Sequence, residues 1–150
     1  PDLAELFRLR SEHAGQNSPL ILVDVQKKHT LFPIVELQRK VAPWLEAALF
    51  TKLDGIIITG SQTGTPPSPQ ELQQWQYQLR LSLPPERDHL KPLLVIGSGV
   101  TTHNLHNFLY HTDLLIVGSA LKKDGFWEKP IDPQRVQHFS RLIPSCDPPA

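Results

Sequence analysis

Residues 93–120, LLVIGSGVTTHNLHNFLYHTDLLIVGSA, indicate the fold class most clearly. It holds two apolar runs of strand length, 93–97 and 114–118, and each run ends in a glycine that a serine follows. A short helix is predicted between the runs, over residues 102–110. Apolar runs that alternate with helices are typical of a parallel sheet that helices cover. The stretch therefore predicts one complete βα unit and the start of another.

The same alternation continues on both sides of this stretch. One helix comes first and four βα units follow, so the predicted fold class is α/β. The predicted strands span 20–25, 55–60, 93–97 and 114–118, and the predicted helices span 1–14, 34–53, a segment that begins after Ser68, 102–110 and a segment that begins after Asp132.

Two of the predicted helices begin at capping sequences. Ser68 is the predicted N-cap of one helix, Pro69 takes its first helical position, and Glu71 completes a capping box. Asp132 and Pro133 repeat the arrangement of an N-cap residue followed by proline. These signals set the start of each helix more firmly than its end.

Two architectures fit this order of elements, a doubly wound open sheet and a (β/α)8 barrel. Polar residues fall at the carboxyl ends of the predicted strands, where barrels keep their chemistry, although open sheets also bind ligands there. The first βα turn has no G-x-G-x-x-G sequence, which counts against a dinucleotide-binding sheet. We therefore predict a (β/α)8 barrel of TIM type, with residues 1–143 as its C-terminal half, about the last four βα units, and residues 144–150 as a proline-rich tail.

Half a barrel leaves an apolar strand open at each edge, and open edges are costly unless another element covers them. We therefore expect a partner for this half, either an N-terminal half-barrel or a second copy of the chain. The sequence contains no methionine, which agrees with the interpretation that it is a piece of a longer chain.

Composition excludes several classes of protein. Fifteen basic residues balance fifteen acidic ones in the 150-residue chain, so no nucleic-acid partner is expected. The single cysteine, Cys146, excludes an internal disulfide and a multi-cysteine zinc site. No apolar run is long enough to cross a membrane and no signal-peptide composition is present, so the protein is expected to be neither transmembrane nor secreted.

The two glycine–serine turns predict a phosphate site. In barrels, a phosphate commonly lies between the loops after the seventh and eighth strands, where backbone N–H groups hold it. Gly97, Ser98 and Gly99 form one candidate turn, and Gly118 with Ser119 forms the other. Glycine suits such a place because the backbone must approach the anion closely. The alternative is that these glycines simply end strands.

Two further groups could contribute to this ligand site. Thr59, Gly60 and Thr63 supply hydroxyls and a glycine after the second strand, a composition that also suits an ordinary loop. Lys122, with Lys123 beside it, follows the fourth strand and could add positive charge near the phosphate. A pair of lysines in such a loop is more commonly solvated. No cofactor is predicted.

Candidate catalytic residues follow the first strand. Asp24, Lys28 and His29 place a carboxylate at a strand end with an ammonium and an imidazole close behind it, which together supply an acid, a base and an electrophile. The alternative is that Asp24 caps a loop while the lysine stays solvated. Two candidate ligands, Asp24 and His29, do not make a coordination sphere, so no metal site is predicted. Four other histidines are interpreted as surface or packing residues: His103, His106, His111 and His138.

A series of motifs runs in order through most of the chain. They are Val23-Asp24-Val25 with Lys28-His29, Asp54-Gly55 with Thr59-Gly60 and Thr63-Gly64, residues 95–101, residues 116–119, residues 121–125, and Asp132-Pro133 with Arg135-Val136. As an ensemble they resemble the BtpA/SgcQ family. The resemblance implies a (β/α)8 barrel about twice as long as this chain, in agreement with the half-barrel prediction.

The resemblance also implies two hypotheses of function. The family includes a cyanobacterial factor needed for accumulation of the photosystem I reaction centre, so one hypothesis is biogenesis or stabilisation of these proteins with a retained phosphate-type ligand site. Other members belong to bacterial sugar-metabolism loci, so the alternative is an enzyme that acts on a phosphorylated sugar or nucleotide in an unknown reaction. The expected partners are a phosphorylated small molecule and photosystem I assembly proteins. The expected location is cytoplasmic or peripheral at the thylakoid membrane.

Overall fold

The computed structural model describes residues 3–12, 19–25, 41–51, 53–60, 64–83 and 91–144. Within these residues, four parallel strands alternate with helices, which confirms the predicted α/β class. The helices are α1 (Leu3–Glu12), α2 (Val41–Phe50), α3 (Pro69–Ser82) and α4 (Pro133–Ser140), the strands are β1 (Leu22–Asp24), β2 (Gly55–Ile58), β3 (Leu93–Ile96) and β4 (Leu114–Leu115), and short 3-10 helices span Leu105–Asn107, Ser119–Leu121 and Lys123–Gly125.

The strands lie in the sheet in the order β1-β2-β3-β4, and each neighbouring pair is parallel. A doubly wound sheet reverses its strand order at a switch point, whereas a barrel adds each new strand on the same side. No reversal occurs among the described strands. The sheet is therefore compatible with a barrel-like fold.

One face of the sheet forms the core together with α2 and α3. Alternate residues of β2 and β3, namely Ile56, Ile58, Leu94 and Ile96, are buried there. Burial of each such side chain contributes about 1.5–3 kcal/mol, so this layer is the main source of stability. The helices contribute Leu45, Ala48, Leu72, Trp75 and Leu79 to the same core.

The opposite face of the sheet carries the side chains that lie between these core positions. Asp24, Ile57 and Val95 form one row across it, because the register pairs Asp24 with Ile57 and Ile57 with Val95. Leu114 of β4 continues the row beside Val95 and is 41% exposed. The carboxylate of Asp24 therefore lies on the face that α2 and α3 do not cover.

The outer strands of the described sheet are shorter than the apolar runs predicted. β1 covers Leu22–Asp24 within the run 20–25, and β4 covers Leu114–Leu115 within the run 114–118. In the described part of the chain, β4 pairs with β3 alone, so its ladder ends beside Ile96, the last residue of β3. A run of apolar residues marks the position of a strand, but the neighbouring strand decides where pairing stops.

One predicted helix is replaced by turns, and another is described only in part. In place of a helix over 102–110, the chain forms turns around the 3-10 segment Leu105–Asn107. At the start of this segment, Oδ1 of Asn104 accepts a hydrogen bond from the N–H of Thr101. α2 is described from Val41, and residues 34–40 of its predicted span lie outside the described residues. None of the helices in the described ranges has the length and apolarity needed to cross a membrane.

The predicted helix starts are confirmed. At α3, the N–H of Glu71 donates to Oγ of Ser68 at 3.2 Å, and the N–H of Ser68 donates to Oε2 of Glu71 at 2.7 Å. At α4, Oδ1 of Asp132 accepts from the N–H of Gln134 at 3.0 Å. Each cap satisfies backbone donors that the first helical turn leaves without partners.

Two aspartates that immediately precede strands form hydrogen bonds at the amino end of the sheet. Oδ2 of Asp54 accepts from the N–H of Ile21 at 2.7 Å, and the N–H of Asp54 donates to the Ile21 carbonyl at 3.2 Å. Asp113 makes the same pair of bonds with Leu94, at 2.7 Å and 2.9 Å. Asp54 also forms an ion pair with Arg10 of α1. These carboxylates satisfy backbone N–H groups at the point where pairing between the strands begins.

Candidate functional site

A cavity of about 970 Å³ opens at the carboxyl ends of β3 and β4. The loop after β3, the segment after β4 and the helix α4 all contribute to its lining. Five residues predicted as phosphate ligands lie in this lining: Gly97, Ser98, Gly99, Gly118 and Ser119. The fold therefore brings both glycine–serine turns to one cavity, as a shared ligand would require.

The other predicted ligand residues lie elsewhere or outside the described chain. Thr59 is buried just after β2, and neither Thr59 nor Gly60 belongs to the cavity lining. Lys122 is also absent from the lining, and its ammonium donates a hydrogen bond to the Trp127 carbonyl. Thr63 lies outside the described residues.

The candidate catalytic residues are also separate from the cavity in the described chain. Asp24 is exposed at the carboxyl end of β1, and β2 separates that strand from β3. The carboxylate thus lies at the same edge of the sheet as the cavity but outside its lining. Lys28 and His29 lie outside the described residues, so the catalytic role of the three residues stays a prediction.

Three glycines at this edge are required by packing within the protein. A Cβ atom on Gly60 would lie 2.3 Å from the Pro66 carbonyl oxygen, and one on Gly99 would lie 2.2 Å from the Pro66 nitrogen. A Cβ atom on Gly97 would lie 2.5 Å from Cγ2 of Ile57. Gly99 also has a φ of +73°, which favours glycine. Contact with the protein's own backbone and side chains is therefore sufficient to explain these glycines.

Gly118 differs from these three glycines. A Cβ atom built on it would meet no heavy atom within 4 Å, and its φ of −117° is negative. Gly118 lines the cavity, so the open space beside its Cα faces the region where a ligand would lie. Of the glycines predicted to approach a ligand, Gly118 is the one for which packing gives no other reason.

The loop after β3 is held in shape by Asn104. Its Nδ2 donates to the Gly99 carbonyl at 3.0 Å, and its Oδ1 accepts from the N–H of Thr101 at 2.7 Å. The Leu105 N–H then donates to the Thr101 carbonyl at 3.0 Å. Sequence analysis did not identify Asn104, although an asparagine close behind a glycine turn is a known turn-forming signal.

Some backbone donors of the two turns are already in use and others are not. The Gly97 N–H donates to the Ile58 carbonyl at 2.9 Å, and the Thr101 N–H is bound by Asn104. The N–H groups of Gly99 and Ser119 donate to no other residue of the described ranges. A ligand in the cavity could therefore accept hydrogen bonds from these two turns.

Residues that sequence analysis did not assign to the site also line the cavity. Arg135 and His138 lie on one face of α4, since side chains three positions apart on a helix are neighbours. His103 lines the cavity from the loop after β3. Both histidines were interpreted as surface or packing residues, and both are indeed exposed at the surface. The N-cap at Asp132 predicts the helix, and the spacing of three then places Arg135 and His138 on one face of it.

No metal centre is evident in the part of the chain that the structure describes. Within the described ranges, no three histidine, cysteine, aspartate or glutamate side chains group together as a metal ion would require. The polar chemistry of the cavity comes instead from backbone N–H groups, hydroxyls, imidazoles, one guanidinium, the amide of Gln134 and the carboxylate of Asp132.

Comparison with known proteins gives relatives along nearly the whole chain. An uncharacterised mitochondrial protein of Caenorhabditis elegans is 30% identical over 138 residues, which cover 92% of this chain and 45% of the relative. The photosystem I biogenesis protein BtpA of Synechocystis sp. is 32% identical over 136 residues, which cover 90% of this chain and 42% of that protein. An uncharacterised protein of Pyrococcus furiosus is 30% identical over 123 residues, covering 82% of this chain and 41% of the relative.

These relatives are longer than the chain, which spans less than half the length of each. No solved structure matches it. The model of the BtpA family matches residues 1–145, nearly the entire sequence. On this match, and on the identity to the Synechocystis protein, the chain belongs to the BtpA family.

Proposed function

We propose that the cavity at the carboxyl ends of β3 and β4 binds the phosphate group of a small molecule. The main support for this proposal is that two glycine–serine turns, which follow neighbouring strands, line the same cavity. Two such turns in consecutive βα units are typical of barrel proteins that bind phosphate between their last two strands. The space beside Gly118 and the N–H groups of Gly99 and Ser119 support it.

The proposal includes a complete barrel in the full-length protein. The unreversed order of the four strands, the partly exposed apolar residues Leu114 and Ile116, and the greater length of the relatives all support a second half that covers this sheet. An N-terminal half-barrel in the same chain fits these observations, with residues 1–143 as its C-terminal partner. A second copy of the chain is the alternative, and sedimentation of the full-length protein distinguishes the two.

Asp24 is the proposed proton-transfer group if the bound ligand reacts. Its row across the sheet, with Ile57 and Val95, faces away from the helices, and that face becomes the inside of a closed barrel. Lys28 and His29 follow it closely in the sequence. Asp24→Asn is then expected to leave phosphate affinity nearly unchanged and to abolish turnover.

The test of phosphate binding is calorimetry on the full-length protein with inorganic phosphate and with glucose 6-phosphate. Gly118→Val is expected to abolish binding of both, because its side chain would occupy the space that the anion needs, while the thermal midpoint changes little. Gly118→Ala serves as the smaller matched change. Unchanged binding in Gly118→Val would mean that this glycine only ends a strand.

A second candidate function is participation in photosystem I biogenesis. The 32% identity to the Synechocystis protein of that name favours it. The relatives in a nematode and an archaeon, which are not photosynthetic, instead favour a function independent of photosystem I. In this second candidate the protein would act at the thylakoid surface through assembly partners.

Complementation separates the two candidates. A Synechocystis strain that lacks its own biogenesis protein would receive the full-length protein, and the levels of reaction-centre proteins would be measured. Restored levels support the biogenesis role. A strain that accumulates the foreign protein without any recovery of reaction centres leaves ligand binding as the function.

A further inference from the structure

We infer that Arg135 is the side chain that binds the anion in this cavity, and that the ligand is a phosphate monoester of a small polar molecule. The inference rests on the proposed function and adds the charged contact that the two backbone turns do not supply. Among the described residues that line the cavity, Arg135 alone carries a permanent positive charge.

The guanidinium of Arg135 is close to the segment after β4 but is only weakly engaged there. Nη1 lies 3.5 Å from the Ala120 carbonyl oxygen, and Nε lies 3.9 Å from Oδ2 of Asp132. Both distances exceed those of good hydrogen bonds, and the side chain is 44% exposed. A guanidinium has five N–H donors, so it can turn towards an anion and lose only weak contacts.

Asp132 sets the position from which Arg135 reaches the cavity. Its Oδ1 accepts from the Gln134 N–H at 3.0 Å, and its own N–H donates to the Leu121 carbonyl at 2.9 Å. The start of α4 is thereby joined to the 3-10 segment that begins at Ser119. Asp132 is therefore a positioning residue, which holds the start of α4, and with it Arg135, beside the segment that begins at Ser119.

Lys122, the cation that the sequence suggested for this role, is engaged elsewhere. Its ammonium donates to the Trp127 carbonyl across the loop that follows β4. The same loop is closed by a bridge between Lys122 and Ile131 and by the Lys123 N–H, which donates to the Pro130 carbonyl at 3.0 Å. Lys122 thus stabilises its own loop, while Arg135 faces the cavity.

The chemistry of the lining indicates the class of ligand. A guanidinium binds two oxygens of one phosphate in a planar fork, which an ammonium cannot do. The cavity of about 970 Å³ is far larger than an anion and is in the size range of small-molecule sites. Thr101, Thr102, His103 and His138 offer hydroxyl and imidazole groups to the rest of the ligand. A sugar phosphate has the hydroxyls that such groups recognise.

The experiment measures binding of inorganic phosphate and glucose 6-phosphate to the full-length protein and to three variants. Arg135→Gln is expected to weaken both by about tenfold to a hundredfold, the effect of losing a charge-assisted pair of hydrogen bonds. Arg135→Lys keeps the charge but not the fork and is expected to weaken both to an intermediate extent. Arg141→Gln, a change of the same type just beyond α4 and outside the cavity, is expected to bind as the unaltered protein does.

A second measurement needs no variant. Phenylglyoxal modifies accessible arginines, and peptide mass spectrometry follows Arg135 and Arg141 separately. Inorganic phosphate is expected to slow modification of Arg135 and to leave that of Arg141 unchanged. Equal rates at Arg135 with and without phosphate, although calorimetry detects binding, would overturn the assignment of Arg135 and leave the phosphate site in place. A full-length protein that binds neither probe would overturn the phosphate site and the assignment together.

Discussion

At the amino ends of the strands, the carboxylates of Asp54 and Asp113 accept from backbone N–H groups, whereas polar residues at the carboxyl ends of β3 and β4 line an open cavity. Asp54 makes two bonds with Ile21, just before β1, and Asp113 makes two with Leu94 of β3, so these donors and acceptors serve the fold. At the opposite edge, the N–H groups of Gly99 and Ser119 make no bond to the rest of the described chain. In barrels the amino edge commonly serves stability and the carboxyl edge serves function. In this chain the carboxylates at the amino edge are used within the fold, and the cavity opens at the carboxyl edge.

Two kinds of glycine occur at the carboxyl edge of the sheet. Gly60 and Gly99 both approach the backbone of Pro66 so closely that a side chain on either would meet it. Gly118 has no such neighbour. The cavity therefore has one wall that packing holds in place and another, at Gly118, that is open to a ligand.

Gly99→Val is expected to cause the largest loss of stability. The side chain would collide with Pro66 and force a β-branched residue into a positive φ, which together cost about 3–5 kcal/mol. Urea unfolding of the full-length protein measures this loss, with Gly118→Ala as the control that should remain within about 1 kcal/mol. A Gly99→Val protein of unaltered stability would contradict the packing role given to Gly99.

Asp113→Ala is expected to cause the second-largest loss of stability. It leaves the Leu94 N–H without its acceptor next to the core, at a cost of about 2–3 kcal/mol in the free energy of unfolding. Asp113→Asn keeps an acceptor oxygen and should lose less. Phosphate affinity should be unchanged in both, because the aspartate lies at the edge away from the cavity. A fall in affinity at unaltered stability would contradict the division between the two edges.

Much of this architecture could be predicted from the sequence. The apolar runs marked the four strands, and the capping residues Ser68 and Asp132 marked the starts of α3 and α4, because both signals depend on residues close together in the chain. The glycine–serine turns were predicted to lie at one edge of the sheet, and both line the cavity there. This could be predicted because each turn follows its strand directly and parallel strands end at one edge.

The parts that sequence analysis missed depend on contacts between distant residues. That Gly99 packs against Pro66 follows from the placement of two loops, and nothing in either loop alone indicates it. Arg135 lines the cavity from α4, whose start Asp132 joins to the segment after β4. Lys122 was the better candidate from its position in the sequence, and only its bond to Trp127 shows where its charge is used.

Asn104→Ala is expected to reduce both the stability of the protein and its affinity for phosphate. It removes both bonds that hold the loop between Gly99 and Thr101, and the expected loss of stability is about 1–2 kcal/mol. Phosphate affinity should fall as well, because the loop that contributes Gly99 and Thr101 to the cavity lining would lose the bonds that fix its shape. Thermal unfolding and calorimetry on the same sample measure both effects. A loss of stability without any change in affinity would show that the loop after β3 does not bind the ligand.

Ser119→Ala is expected to have the smallest effect, and it acts on binding alone. The exposed hydroxyl makes no hydrogen bond within the described residues, so its removal should leave the free energy of unfolding unchanged. The Ser119 N–H remains in the variant, and only the hydroxyl contact to the phosphate is lost. One ordinary hydrogen bond corresponds to about 1 kcal/mol, or roughly a fivefold weaker affinity for inorganic phosphate in calorimetry. Loss of all binding would instead mean that the hydroxyl, and not the backbone of the turn, is the principal ligand at this edge.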